Sequence, residues 1–165
     1  MKKLNKVYVI VASMVLMFSM KSNAQISKAE IRATGLTCSM CSNAINKQLK
    51  SLPEVVTVET DLNTNTFTVT LKEGNELSPK VFKEKVEKAG FFIGSLVVIA
   101  KPETITKSTY ILVNDKPNNV TEIQFQVVDK GYVTEKEYKK LSKSYKNVET
   151  YAANNEDDFH IKILN

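Results

Sequence analysis

The chain has 165 residues, 23 basic and 18 acidic, with one histidine, no tryptophan and two cysteines. Its formal charge of +5 is unevenly placed: Lys2, Lys3, Lys6 and Lys21 precede residue 25 with no acid among them, leaving 19 basic against 18 acidic residues, or +1, in the rest. A remainder so close to neutral excludes reading the basic pI as a nucleic-acid or membrane-binding patch.

In chain order, the lysines at the start are followed by an apolar run from Val7 to Met20, which is short for a bilayer span. Ser22-Asn23-Ala24 then offers small residues where a signal peptidase reads. Residues 1–24 are expected to be a secretory signal cut after Ala24, with no cysteine nearby to carry a lipid and no membrane anchor left after cleavage. The protein is then exported, to the periplasm in a Gram-negative host, where thiols meet oxidants. The cut removes every methionine except Met40, which excludes a methionine-rich copper surface.

Ile31 and Ala33 alternate with Glu30, Arg32 and Thr34, the pattern of a strand with one buried face. Gly35 to Cys41 reads as a loop. Ile45, Leu49 and Leu52 then form a helical stripe that Cys41 extends backwards, and Pro53 ends it. Val56 and Val58 open a second strand, and Asp61 to Asn65 is a turn. Phe67, Val69 and Leu71 alternate with threonines in a third strand. Ser78-Pro79 caps a helix with the stripe Phe82, Val86 and Ala89, and Gly90 suits its end. Phe92, Leu96 and Val98 mark a fourth strand. The order β-α-β-β-α-β over residues 26–99 is the ferredoxin-like plan, an antiparallel sheet with both helices on one face.

Lys101 to Lys107 resembles a linker. Beyond it, residues 105–165 read as a small ββαββ unit, making the whole chain α+β. Its strands are Tyr110–Val113, Ile123–Val127, Val148–Ala152 and Phe159–Ile163, with a turn at Asp115–Asn119. Thr134 and Glu137 form a capping box for its helix, whose stripe is Tyr138, Leu141 and Tyr145. Alone, so small a unit buries little surface. It is expected to pack on the first domain, extend its sheet or form a homodimer.

Cys38 and Cys41 carry the chemistry. Two thiolates suffice for a soft d10 ion such as Cu(I) or Hg(II), which accepts near-linear coordination. Cys41, at a helix start, meets free N–H groups that favour thiolate. A site with two ligands leaves room for a partner's thiol, so metal can pass by stepwise ligand exchange. The same pair could close a disulfide, though so short a loop would constrain the unfolded chain by only about 2 kcal/mol. It could also serve a thiol-disulfide redox protein, but Ser39-Met40 replaces the Gly-Pro usual between such cysteines.

Gly35-Leu36-Thr37-Cys38-Ser39-Met40-Cys41 resembles the G-M-T-C-x-x-C signature of heavy-metal-associated domains, among them copper chaperones, modules of copper-exporting P-type ATPases and the periplasmic mercury carrier MerP. The resemblance covers residues 26–99. It implies that Cys38 and Cys41 are the metal ligands and Leu36 an apolar packing residue beneath the loop. It also implies that Phe91 stands in the corner opposite the site, without the hydroxyl of the family's tyrosine. Thr37, where zinc-selective members often carry Asp, favours Cu(I) over Zn(II). The implied partner is an efflux component or a cuproenzyme. A MerP-like mercury carrier is the alternative.

Met40 is expected to point outward, with Ser39 and Ser42 satisfying nearby N–H groups. His160, alternating with Phe159 and Ile161, is expected to face solvent opposite the core stripe. Glu156-Asp157-Asp158 reads as a turn. No nucleophile-base pair, phosphate loop or paired carboxylates call for an enzyme.

Overall fold

The computed structural model describes residues 25–36, 39–114, 120–153 and 155–164. The expected signal segment, Thr37, Cys38 and the Asp115–Asn119 turn lie outside them. The first half runs β1 (Ile26–Thr34), α1 (Ser39–Lys50), β2 (Val55–Asp61), β3 (Thr66–Leu71), α2 (Pro79–Lys88) and β4 (Phe92–Ala100). After a 3-10 turn at Pro102–Thr106 come β5 (Tyr110–Leu112), β6 (Ile123–Val127), α3 (Glu135–Ser144), α4 (Glu149–Ala153) and β7 (Phe159–Ile163). Among the described residues no helix is long and apolar enough to cross a membrane.

The ferredoxin-like order stands as the sequence implies, with β1 between β3 and β4. Alternation in each strand sends every second side chain to one face. Register then aligns those side chains into rows across the sheet. Val69, Ala29, Val98, Phe125 and Ile163 form one row, and Phe67, Ile31, Leu96, Val127 and Ile161 another. Onto this face α1 lowers Ile45 and Leu49, and α2 lowers Phe82 and Val86, all fully buried. Each such side chain stabilises the fold by roughly 1.5–3 kcal/mol relative to exposure.

The rows do not stop at β4. β6 pairs antiparallel with β4, β7 with β6, and β5 runs parallel to β7, so one seven-stranded sheet in the order β2-β3-β1-β4-β6-β7-β5 joins both halves. The second half thus gains its core by extending the first sheet, which answers its small size. Lys101–Lys107 is not a free linker: Thr104 is buried, and its Oγ1 accepts from the Gln25 N–H at 3.1 Å.

One expected strand is a helix. Val148 N–H bonds to Tyr145 O and Tyr151 N–H to Val148 O, and the helical turn α4 follows. A strand would send Thr150 and Tyr151 to opposite sides. The turn lets both reach His160, and buries Tyr151 with its hydroxyl donating to Val128 O at 2.6 Å. The second half is therefore ββααβ. The Tyr138, Leu141 and Tyr145 stripe is half-buried, with the two tyrosine rings packing on Tyr151 at 5.8 and 5.4 Å.

At α2, Pro79 occupies the first turn, but the Ser78 hydroxyl makes no capping bond. The helix ends as expected at Gly90, whose φ of +88° lets Gly90 N–H reach Glu87 O and Phe91 N–H reach Val86 O. Thr134 does cap α3, its Oγ1 accepting from Glu137 N–H at 3.3 Å.

Candidate metal site

β1 delivers the chain to the site loop through Gly35, at φ +82°. Leu36 is half-buried against the core, anchoring the loop from below. α1 begins at Ser39, earlier than its apolar stripe suggests, so Met40 and Cys41 belong to its first turn rather than to the loop. Cys41 is half-buried, one turn before the fully buried Ile45. The amino end of a helix, with its unpaired N–H groups, favours negative charge at that place. Met40 is 78% exposed. Ser42 is buried.

The corner after α2 lies beside this loop. A side chain on Gly35 would start 4.0 Å from the Phe91 ring, which itself packs half-buried on the core. Next door, Thr34 pairs with Phe92, whose ring is 69% exposed. The cause is a bulge: Arg32 faces Ser95 and Ala33 faces Ile93, leaving Gly94 unpaired and turning Phe92 away from the core. Gly94 has to lack a side chain, since a Cβ there would lie 2.5 Å from Thr34 Cγ2. The structure thus gathers Leu36, Cys41, Met40 and Phe91 at one end of the sheet.

A cleft of about 710 Å³ opens at the seam between α2, the start of β4 and the second half. Lys83 spans it, with its stem against Gly131 and its ammonium 5.5 Å from the centre of the Tyr132 ring. Lys80 reaches Asp157 at 3.2 Å, and this contact raises the pKa of its ammonium. Glu156 and Asp157 form the expected turn. Burial first, then Asp129, pushes the Tyr132 hydroxyl well above its ordinary range.

His160 corrects the sequence expectation. It does lie on the face opposite the core rows, but it is 1% exposed because α4 covers that face. Its Nδ1 lies 2.7 Å from Asp129 Oδ1 and its Nε2 lies 2.9 Å from Thr150 Oγ1. The line Thr150–His160–Asp129 has the connectivity of a nucleophile, base and orienting acid, an arrangement the sequence did not suggest. Yet both ring nitrogens are engaged within the protein, and Asp129 Oδ2 accepts from the His160 backbone N–H. Sealed in this way, the imidazole ties α4 and the end of β6 to β7. Only the register of β6 on β7 brings Asp129 to His160, and no spacing in the sequence signals it. Among the described residues no three His, Cys, Asp or Glu side chains gather for a metal ion.

A two-layer α/β module with a cysteine at the amino end of its first helix defines a class of metal-handling domains. The family model "Heavy-metal-associated domain" matches residues 30–92, and this part of the chain belongs to that family. No match was found among curated proteins. Among solved structures, the chain is similar to the yeast copper transporter domain Ccc2a, described in apo and Cu(I)-loaded states. The identity is 37% over 39% of this chain and 88% of that one, with a TM-score of 0.36. It is also similar to the N-terminal domain of a potential copper-translocating P-type ATPase from Bacillus subtilis, with 33% identity over 41% and 82% of the two chains and a TM-score of 0.36. A third similar structure is the Atx1-Cu(I)-Ccc2a complex, at 37% identity over 39% and 88% and a TM-score of 0.35.

Proposed function

We propose that this chain is an exported carrier of a soft metal ion, Cu(I) before Hg(II) or Zn(II), held by Cys38 and Cys41 and exchanged with a partner protein. The observation that carries the reading is the heavy-metal-associated domain match at residues 30–92, which encloses both cysteines and the whole Gly35–Cys41 loop. Support for copper comes from Thr37 in front of the first cysteine and from sequence identity to domains whose descriptions name copper. Export rests on the signal-like residues 1–24.

Two thiolates hold a d10 ion without filling its coordination sphere. An incoming thiol from an efflux component or cuproenzyme adds as a third ligand, and one of the resident sulfurs then leaves. Leu36 and Phe91 keep the loop and its neighbouring corner packed, while the exposed Met40 stands at the rim a partner meets.

Competition with a Cu(I) chelator, using reduced protein, tests the reading. Wild type should hold one Cu(I), and Cys38→Ser with Cys41→Ser should abolish binding. Binding that survives the double substitution would sink the proposal. Tight Hg(II) capture with weak Cu(I) binding would move the cargo to mercury. Turnover of a protein disulfide would move the pair to redox chemistry. A mature amino terminus at Gln25 in the periplasmic fraction checks export.

A further inference from the structure

α3 turns four lysines to one side. With Tyr138 and Tyr145 packed on Tyr151 and Leu141 half-buried between them, helical spacing puts Lys136, Lys139, Lys140 and Lys143 on the opposite side, and all four are exposed. Glu135 and Glu137 border this face but do not interrupt it. None of the four takes part in an ion pair among the described residues. Residues three and four apart on a helix are neighbours, so Lys136–Lys140, Lys139–Lys143 and Lys140–Lys143 repel one another. The spacings Glu135–Lys139 and Glu137–Lys140 relieve this only in part.

The face begins at the metal-loop end. Thr134, the cap of α3, has its Cγ2 3.5 Å from where a side chain on Gly94 would start, and Thr34 Cγ2 touches the same place. Thr34 leads directly into Gly35 and the cysteine loop. Thr134 and Glu135 line the same cleft as Thr34 and Phe92. α3 is about 15 Å long, so its lysines fall within one standard interface footprint of the loop.

We infer that this lysine face docks an acidic protein partner and orients it for metal exchange at the Cys38–Cys41 loop, an inference that rests on the carrier reading above. A lipid surface fits less well, because α3 turns its apolar stripe inward and offers a bilayer no apolar face.

The test uses the purified full chain and two synthetic Cu(I)-loaded Cys-x-x-Cys peptides, one flanked by glutamates and one by lysines. In stopped-flow transfer at low ionic strength, the acidic donor should be faster by at least about ten-fold. The advantage should shrink at about 0.5 M NaCl. In K136E/K140E/K143E the preference should reverse to the basic donor, with chelator-measured Cu(I) affinity unchanged. Equal rates from the two donors, or an acidic preference that survives the triple substitution, would overturn the inference. So would lysine-dependent binding to phosphatidylglycerol vesicles without donor discrimination. If the chain holds no Cu(I), the carrier reading fails by itself. The face is then read by NMR titration with the metal-free acidic peptide: shifts centred on α3 uphold docking, and shifts elsewhere or none overturn it.

Discussion

His160 and Asp129 meet twice: Nδ1 of the ring lies 2.7 Å from one carboxylate oxygen, and the His160 backbone N–H donates to the other at 2.6 Å. An ionised carboxylate only accepts, so Nδ1 carries the proton, and in the neutral ring Nε2 accepts from the Thr150 hydroxyl. One carboxylate thus fixes the backbone of β7 and, through the ring, the position of α4.

Asp129→Asn keeps the shape but leaves one of the two donors without its acceptor, and should cost about 1–3 kcal/mol in urea unfolding at neutral pH. Burial is the largest influence on Asp129 and raises its pKa against the lowering effect of His160. A carboxyl whose folded pKa is raised binds more protons folded than unfolded, so its contribution to stability falls as pH rises above the ordinary aspartate range. The stability gap between wild type and variant should therefore narrow over that window. A gap that widens there would contradict the assigned direction.

Gly90 and Gly94 are both required, for different reasons, and alanine at each should show it. Gly90→Ala meets no atom within 4 Å but must hold φ +88°, so the loss should be about 1–2 kcal/mol from backbone strain alone. Gly90→Asn should recover part of it. Gly94→Ala drives a methyl into Thr34, and should cost about 1–3 kcal/mol and perturb the β1–β4 end beside the metal loop. Chemical-shift mapping around Thr34 distinguishes the two, since only Gly94→Ala should move it.

Phe125 sits fully buried on β6, opposite Val98 of β4 and Ile163 of β7. Phe125→Ala should destabilise by about 3–5 kcal/mol. Because β4 belongs to the metal-site half and β6 to the other, calorimetry should show one transition that shifts as a whole. Two separated transitions would mean that the halves unfold independently.

Tyr110 is buried against Phe125 and Phe159, and burial pushes its hydroxyl up to about 12. With the folded pKa above the ordinary 10, its contribution to stability is full below pH 10 and is lost as pH rises toward 12. Tyr110→Phe should flatten alkaline unfolding across that window, as followed by circular dichroism. An unchanged profile would show that the hydroxyl is solvated.

Much of the first half was legible because each element carries its own period. Ile31 with Ala33, Ile45 with Leu49, Phe67 with Val69 and Phe82 with Val86 are all buried where alternation or helical spacing puts them. Residues 148–152 were not legible, since five residues fit either period and the contacts of Tyr151 decided for helix. Of the site, Leu36 and Phe91 lie against the core beside the loop, and Cys41 lies in the first turn of a helix that starts at Ser39, two residues before the stripe implied.

By itself, the sequence determined the ferredoxin-like order, the helix that follows β1 and carries Cys41, and the face on which His160 lies, because these depend on neighbours within a few residues. Only the tertiary structure decided that one sheet runs through both halves, that α4 buries His160 on Asp129, and that α3 starts its lysine face beside the cysteine loop. Those outcomes depend on the pairing of β6 with β4 and β7, between residues about thirty positions apart. Such pairing is set by the fit of whole faces and leaves no local mark on the chain.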